Sequence, residues 1–408
     1  MQTSEATVIG QRLPVSLLTG FLGSGKTTVL NHLVNHPDMA RVVVIINEFG
    51  EIGLDHELVE TSAEDMILLQ SGCLCCSIRG DLIDTLRKLF LRRVRGEIQE
   101  FDRVVIETTG LADPAPILHT LMTDPLISAR FRLDGVVTTI DAATGSATLD
   151  RQVESVKQAA VADRLLLTKT DLVSVEEVQA LEHRLRQINP AAPVIRAVQG
   201  EVEPARLFDA GLYNPKTKTL DVRRWLNAEA YLDPEHQGSH GSEHDHEHEH
   251  AHDEHQHADG HGHHADGGHG RTHQHAHDVN RHDDHIKAVC LTLEEPIQGD
   301  ALDRWLEVML LLKGPDILRV KGIVNVAGLS GPFVVHGVQH IFHPPVMLKK
   351  WPSKDRRTRI VFITRDIDEA MLRDTLKLFT ANDDSEFLAA RDAVLAASPV
   401  ATQQQQAL

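Results

Sequence analysis

Thiols, positive charge and long apolar runs are all scarce in this chain. Of its 408 residues only 4 are cysteine, too few for the disulfide framework that holds small secreted domains together. Lysine and arginine number 41 against 59 aspartate and glutamate, a formal net charge of -18. Broad nucleic-acid binding, which needs a positive surface to displace counterions, is therefore not expected. No stretch approaches the roughly 18 consecutive apolar residues of a membrane span, so no membrane partner is expected either. The opening "MQTSEATVIGQRLPVSLLTG" has no basic segment followed by an apolar core and a cleavage site. The expectation is a cytoplasmic protein without an export signal. At 41% apolar and 25% charged residues, the chain reads as soluble and long enough for two packed domains with connecting segments.

Three regions follow from patterning, at 1–230, 231–284 and 285–395, with a loose tail at 396–408. In the first, short β-branched runs ("VSLLT" 15–19, "VVVII" 42–46, "RVVIE" 103–107, "GVVTTI" 135–140, "RLLLT" 164–168) alternate with amphipathic stretches. One of these places Leu82, Leu86, Leu89, Phe90 and Val94 at helical spacing. Strands alternating with helices predict an α/β domain with a mostly parallel, doubly wound sheet and a ligand at the carboxyl ends of the strands. The second region holds 18 of the 26 histidines, between His236 and His285, and almost nothing apolar. It is read as a disordered, metal-binding linker, because it cannot bury enough surface to offset the entropy of ordering. The third region reads as strand, helix, three strands and helix, a small α+β domain with "FVVHGVQHIF" as one of its strands. His336, His340 and His343 there are read as core or surface groups.

The first strand runs directly into "GFLGSGKTT", which satisfies G-x-x-x-x-G-K-[ST] with Gly20, Gly25, Lys26 and Thr27. With Gly23, Ser24 and Thr28, these residues form a P-loop whose backbone N–H groups and following helix cradle phosphates. Lys26 reaches the β- and γ-phosphates and the Thr27 hydroxyl ligates Mg²⁺. "VVIETTG" supplies Glu107 at a strand tip, to hold Mg²⁺ or orient the attacking water, and Gly110 to let the next loop respond to the γ-phosphate. "TKTD" supplies Asp171, which can accept two hydrogen bonds from guanine, and Lys169, whose stem lies along the base. Thr168 stands where the usual guanine-reading element has Asn.

Three of the four cysteines crowd into "GCLCC", as Cys73, Cys75 and Cys76. Thiolates are soft ligands that suit Zn²⁺. There is no second C-x-x-C, and Cys290 lies in an apolar strand pattern. Three sulfurs plus an exchangeable or oxygen ligand make a site from which metal can be handed on. Glu51 is the candidate oxygen ligand and Glu48 its competitor.

"TGFLGSGKTT", "NEFGEIGLD", "GCLCC", "ETTGLADP" and "TKTD", in this order and followed by a histidine-rich stretch and a small C-terminal domain, resemble the CobW-like family of metal-chaperone P-loop GTPases. The resemblance runs over about 15 to 380. It implies a GTPase whose nucleotide state controls how a metal, commonly zinc, is held by the cysteine loop and released to a client apo-metalloprotein. GTP, Mg²⁺ and Zn²⁺ are the implied cofactors, with Co²⁺ or Ni²⁺ as alternatives. No arginine clearly enters the phosphate site, so slow catalysis is expected. The competing readings are a cobalt-handling protein of cobalamin synthesis, an activator of an enzyme such as nitrile hydratase, a histidine-rich metal store, and a P-loop ATPase or small-molecule kinase. The oligomeric state is left open.

Overall fold

The computed structural model describes residues 12–48, 66–70, 76–214, 219–231, 285–343 and 345–381. Glu51, Cys73, Cys75, the histidines from 236 to 282 and the tail at 396–408 lie outside the described residues, as do the side chains of Cys76 and Glu48.

The first seven strands are β1 (Leu13–Gly20), β2 (Val42–Glu48), β3 (Met66–Gln70), β4 (Arg103–Thr108), β5 (Phe131–Asp141), β6 (Arg164–Thr168) and β7 (Val194–Ala197). They form one sheet in the order β3-β2-β4-β1-β5-β6-β7, and every neighbouring pair is parallel. Apolar residues on both faces of each strand explain why the sheet is buried on both sides. Val43, Ile45, Val104 and Ile106 pack into one core with α2 (Cys76–Val94) and α3 (Ala115–Thr123). The intervening Val44, Ile46 and Val105 pack on the other face with α1 (Lys26–Val34), as the two-residue period of a strand requires. Beyond β5, α4 (Val153–Ala160) and α5 (Val175–Ile188) cover the sheet. Ser174 and Glu177 form a reciprocal capping box that starts α5.

Helix α2 buries Leu82, Leu86 and Leu89 as expected, but Val94 is exposed. It lies one turn beyond the half-buried Phe90, on the edge of the apolar stripe and not at its centre.

The C-terminal part comprises β8 (Ile286–Leu293), α6 (Gly299–Lys313), β9 (Ile317–Val324), β10 (Phe333–Val338), β11 (Ile341–Phe342), β12 (Val346–Met347), β13 (Thr358–Arg365) and α7 (Glu369–Thr380). Its sheet runs β8-β13-β9-β10-β11, with β12 also on β10, and its pairings are antiparallel. The run "FVVHGVQHIF" is not one strand: it folds back as a hairpin, with Gly337 opposite Phe342 and Val338 opposite Ile341. Gln339 makes the turn in the left-handed region, at φ 51°. A glutamine gives no turn signal in the sequence.

Residues 12–231 and 285–381 belong to one compact unit. Ile286, Leu318 and Ile363 of the C-terminal sheet share a core with Leu165, Leu181 and the half-buried Tyr231. Beside them Asp163 is buried, accepting from Arg319 (2.7 Å), Lys321 (2.8 Å) and the Val136 N–H (3.0 Å). Burial alone would raise the Asp163 carboxyl, but Arg319 and Lys321 hold it well below the usual carboxylate range. One carboxylate shared by two cations leaves Lys321 under-compensated: burial, with Arg319 beside it, pushes its pKa down to about 8.

Candidate functional site

The loop after β1 is shaped by backbone that side chains would block. Gly20 has φ 145°, and a Cβ there would lie 2.2 Å from the Thr139 hydroxyl. Gly23 and Gly25 also take positive φ. Lys26 then opens α1, and its ammonium turns back over the loop to donate to the carbonyls of Gly20 (2.9 Å) and Phe21 (3.2 Å). Thr27 is half-buried and Thr28 exposed in the first turn.

Beneath the loop lies a set of hydroxyls. Ser24 shares a 2.6 Å hydrogen bond with Thr139; Thr139 donates to the Thr19 carbonyl, and Thr108 to the Thr19 hydroxyl. Neutral bonds of this kind hold the cradle without placing a charge where phosphates would sit. Glu107 is buried on β4, level with Leu18 of β1. Gly110, three residues on, presses against the loop: a Cβ there would meet the Leu22 N and Cα at 2.6 and 2.7 Å. The glycine that the sequence suggested for mobility is thus also required by close approach.

The departure at Thr168 has a structural reason. Its hydroxyl donates to the carbonyls of Ser24 (2.8 Å) and Ile140 (3.2 Å), tying the end of β6 to the loop after β1. Lys169, at φ 54°, reaches the Gly23 carbonyl at 2.8 Å and Asp141 at 2.7 Å. Burial would raise the Asp141 carboxyl, but Lys169, the Ala143 N–H and Thr144 bring it below the usual range. Asp171 stands exposed in the turn Thr170–Leu172.

Sequence reading passed over Asp141, Thr139 and the turn after β7. There a Cβ on Gly200 would fall 2.6 Å from the Thr28 carbonyl. The one available signal was an aspartate ending a strand three residues before Thr144.

Lys26, Glu107, Gly110, Thr168 and Lys169 therefore converge on the carboxyl ends of β1, β4 and β6. The cysteine loop lies outside the described residues. β3, the strand that precedes it, is the edge strand, three strand spacings and thus about 14 Å from β1. Cys76 begins α2, and Gln70, the last residue of β3, lies level with Glu48.

The CobW/HypB/UreG nucleotide-binding domain model matches residues 14–196, and the model of the cobalamin synthesis protein cobW C-terminal domain matches 286–380. Zinc chaperone YjiA of Escherichia coli (strain K12) is 30% identical over 361 residues, 88% of this chain and 96% of that one. The chain belongs to the CobW family. Zinc chaperone CobW of Pseudomonas aeruginosa is 30% identical over 398 residues, covering 90% of this CobW-family chain and 91% of its own. Zinc-regulated GTPase metalloprotein activator 1 of Schizosaccharomyces pombe is 34% identical over 218 residues, about half of each chain. The crystal structure of Zn(II)-bound YjiA GTPase superposes with a TM-score of 0.60 at 26% identity, covering 89% of this chain and 98% of that one. The CobW fold of this chain is therefore a parallel P-loop sheet with a separate antiparallel C-terminal sheet.

Proposed function

We propose that this CobW-family chain is a GTP-hydrolysing zinc metallochaperone. The observation that carries the reading is the formed cradle after β1, with Lys26 turned onto it and Thr168 bracing it from β6. The relatives named as zinc chaperones and as a zinc-regulated GTPase add the cargo and the nucleotide.

The residues fit a nucleoside triphosphate with Mg²⁺. Backbone N–H groups around Gly20, Gly23 and Gly25 receive the phosphates, Lys26 moves from the loop carbonyls to the β- and γ-phosphates, and Asp171 reads guanine. Thr27 and Glu107 would hold Mg²⁺, which neutralises charge on the phosphate oxygens when bound. Water adds to the γ-phosphorus as the bond to the β–γ bridging oxygen breaks, giving GDP and phosphate. Turnover by the chain alone is slow, because among the described residues no arginine reaches the cradle to meet the developing charge.

Cys73, Cys75 and Cys76, with Glu51 as the oxygen ligand, carry Zn²⁺ as cargo, and the histidines between 236 and 285 feed or buffer it. Co²⁺ and Ni²⁺ are the competing cargoes. The edge strand β3 and its neighbour β2 connect the cysteine loop to the nucleotide, so hydrolysis alters how the metal is held and a client apo-metalloprotein takes it.

The test is Zn²⁺ affinity by chelator competition, measured first with GDP and then with a non-hydrolysable GTP analogue and Mg²⁺. One tight site, present in the full chain, absent after Cys75→Ala with Cys76→Ala and nucleotide-dependent in strength, is expected. Equal affinity in both nucleotide states would refute the coupling.

A further inference from the structure

The loop that follows Glu107 is held at two ends by different parts of the protein. At its start, Gly110 is pressed on Leu22 of the phosphate loop, and its Thr109–Ala112 turn is closed by a backbone hydrogen bond. Buried Gln158 of α4 grips the middle, donating to the carbonyls of Gly110 (3.3 Å) and Ala112 (3.0 Å). At its far end Asp113 accepts three hydrogen bonds. The Ala115 N–H at 2.9 Å starts α3. Lys157 of α4 donates at 3.2 Å, and Gln339 donates at 3.1 Å from the hairpin turn of the C-terminal sheet.

That turn is fixed to the first domain by more than Gln339. The neighbouring Val338 is fully buried in the first domain's core. Its carbonyl lies 2.9 Å from Nε2 of His119 on α3, and the rings of His119 and His340 meet edge to face at 5.0 Å. Gln339 adopts its left-handed conformation between these two anchors, so its amide is presented to Asp113 by a rigid support. A one-ångström displacement of a supporting group can cost a reaction about 100-fold.

We propose that Gln339 is a positioning residue for GTP hydrolysis: acting through Asp113, the C-terminal hairpin sets the Gly110–Asp113 loop against the phosphate cradle. The inference rests on the GTPase reading above. It makes the C-terminal domain part of the hydrolytic apparatus, and by reciprocity a change in the loop on loss of the γ-phosphate is felt at the hairpin.

The experiment measures kcat and KM for GTP, GDP affinity and thermal unfolding in the full chain, with Lys26→Ala as the control for the GTPase reading. Gln339→Ala removes the bond, and Gln339→Glu places a carboxylate against Asp113. Expected is a fall in kcat of about 10-fold, larger for Glu than for Ala, with GDP affinity and unfolding temperature unchanged. Combining Gln339→Glu with Asp113→Asn restores the pair with donor and acceptor exchanged. Recovery of kcat in this double variant is expected, and a purely structural role would not produce it. If Lys26→Ala abolishes turnover while both Gln339 variants keep wild-type kcat, the positioning role is overturned and the GTPase reading stands. If Lys26→Ala turns over GTP as the wild type does, both fall.

Discussion

The two ends of the parallel sheet treat polar groups in opposite ways. At the carboxyl ends, Thr19, Ser24, Thr108, Thr139 and Thr168 form a neutral hydrogen-bonded set beneath the phosphate loop, and the charged groups, Lys26, Glu107 and the Lys169–Asp141 pair, sit at strand or helix tips. At the amino ends, charge is consumed internally. Arg103 and Arg132 close on buried Asp134, and Arg319 with Lys321 close on Asp163. Burial would raise Asp134, yet the two arginines hold it below the usual carboxylate range. The difference teaches that one edge is built to exchange a charged ligand and the other to remain closed. A group meant to meet phosphate gains from neutral supports, whereas a domain seam needs its charges already paired.

Breaking the closed edge should have the largest effect. Asp163→Ala leaves Arg319 and Lys321 buried without their carboxylate and should cost about 3–5 kcal/mol in urea unfolding, loosening the C-terminal sheet from the first domain. At the open edge, Lys26→Ala should lower GTP turnover by about 100-fold or more while the unfolding midpoint stays near the wild-type value, since phosphate stabilisation and not the fold is lost. An equal loss of stability would show that the edges are not separate in kind. Asp171→Ala should reduce the preference for GTP over ATP by about 10-fold or more in competition binding, because the guanine donors lose their acceptor. Thr168→Ala removes a neutral strut worth about 1 kcal/mol and should weaken nucleotide binding slightly, as read by titration calorimetry.

The seam also responds to pH. Asp163 lies below its usual range in the fold, so its contribution is complete above about pH 4 and is lost as pH falls through the lowered folded value. Lys321, pushed down to about 8, releases its proton in the folded chain before the unfolded chain does near pH 10.4. Its contribution should make stability rise modestly between about pH 8 and pH 10, and Lys321→Met should flatten that rise in thermal melts.

Much of the open edge was legible because its residues are neighbours in the chain. "GFLGSGKTT" fixes a turn, a helix start and a lysine within one short segment, and the aliphatic runs mark the strands they become. The closed edge was not legible, since Asp163 meets Arg319 and Lys321 across more than 150 positions. Thr168 stood out only as a departure from a pattern, because the Ser24 carbonyl it supports lies 144 residues away. Asp113 was visible within "ETTGLADP", but its partner Gln339 sits in a turn that an unbroken β-like run concealed.

Tyr231 and Ile286 meet in the same core, so the chain leaves the compact unit and returns to it at nearly one point. With its two ends this close, a change in the length of the connection does not ask the two domains to move, since loop closure in general costs only about 0.6 kcal/mol more per doubling of length. Changing the number of histidines between those anchors should therefore leave the unfolding of the compact unit almost unchanged.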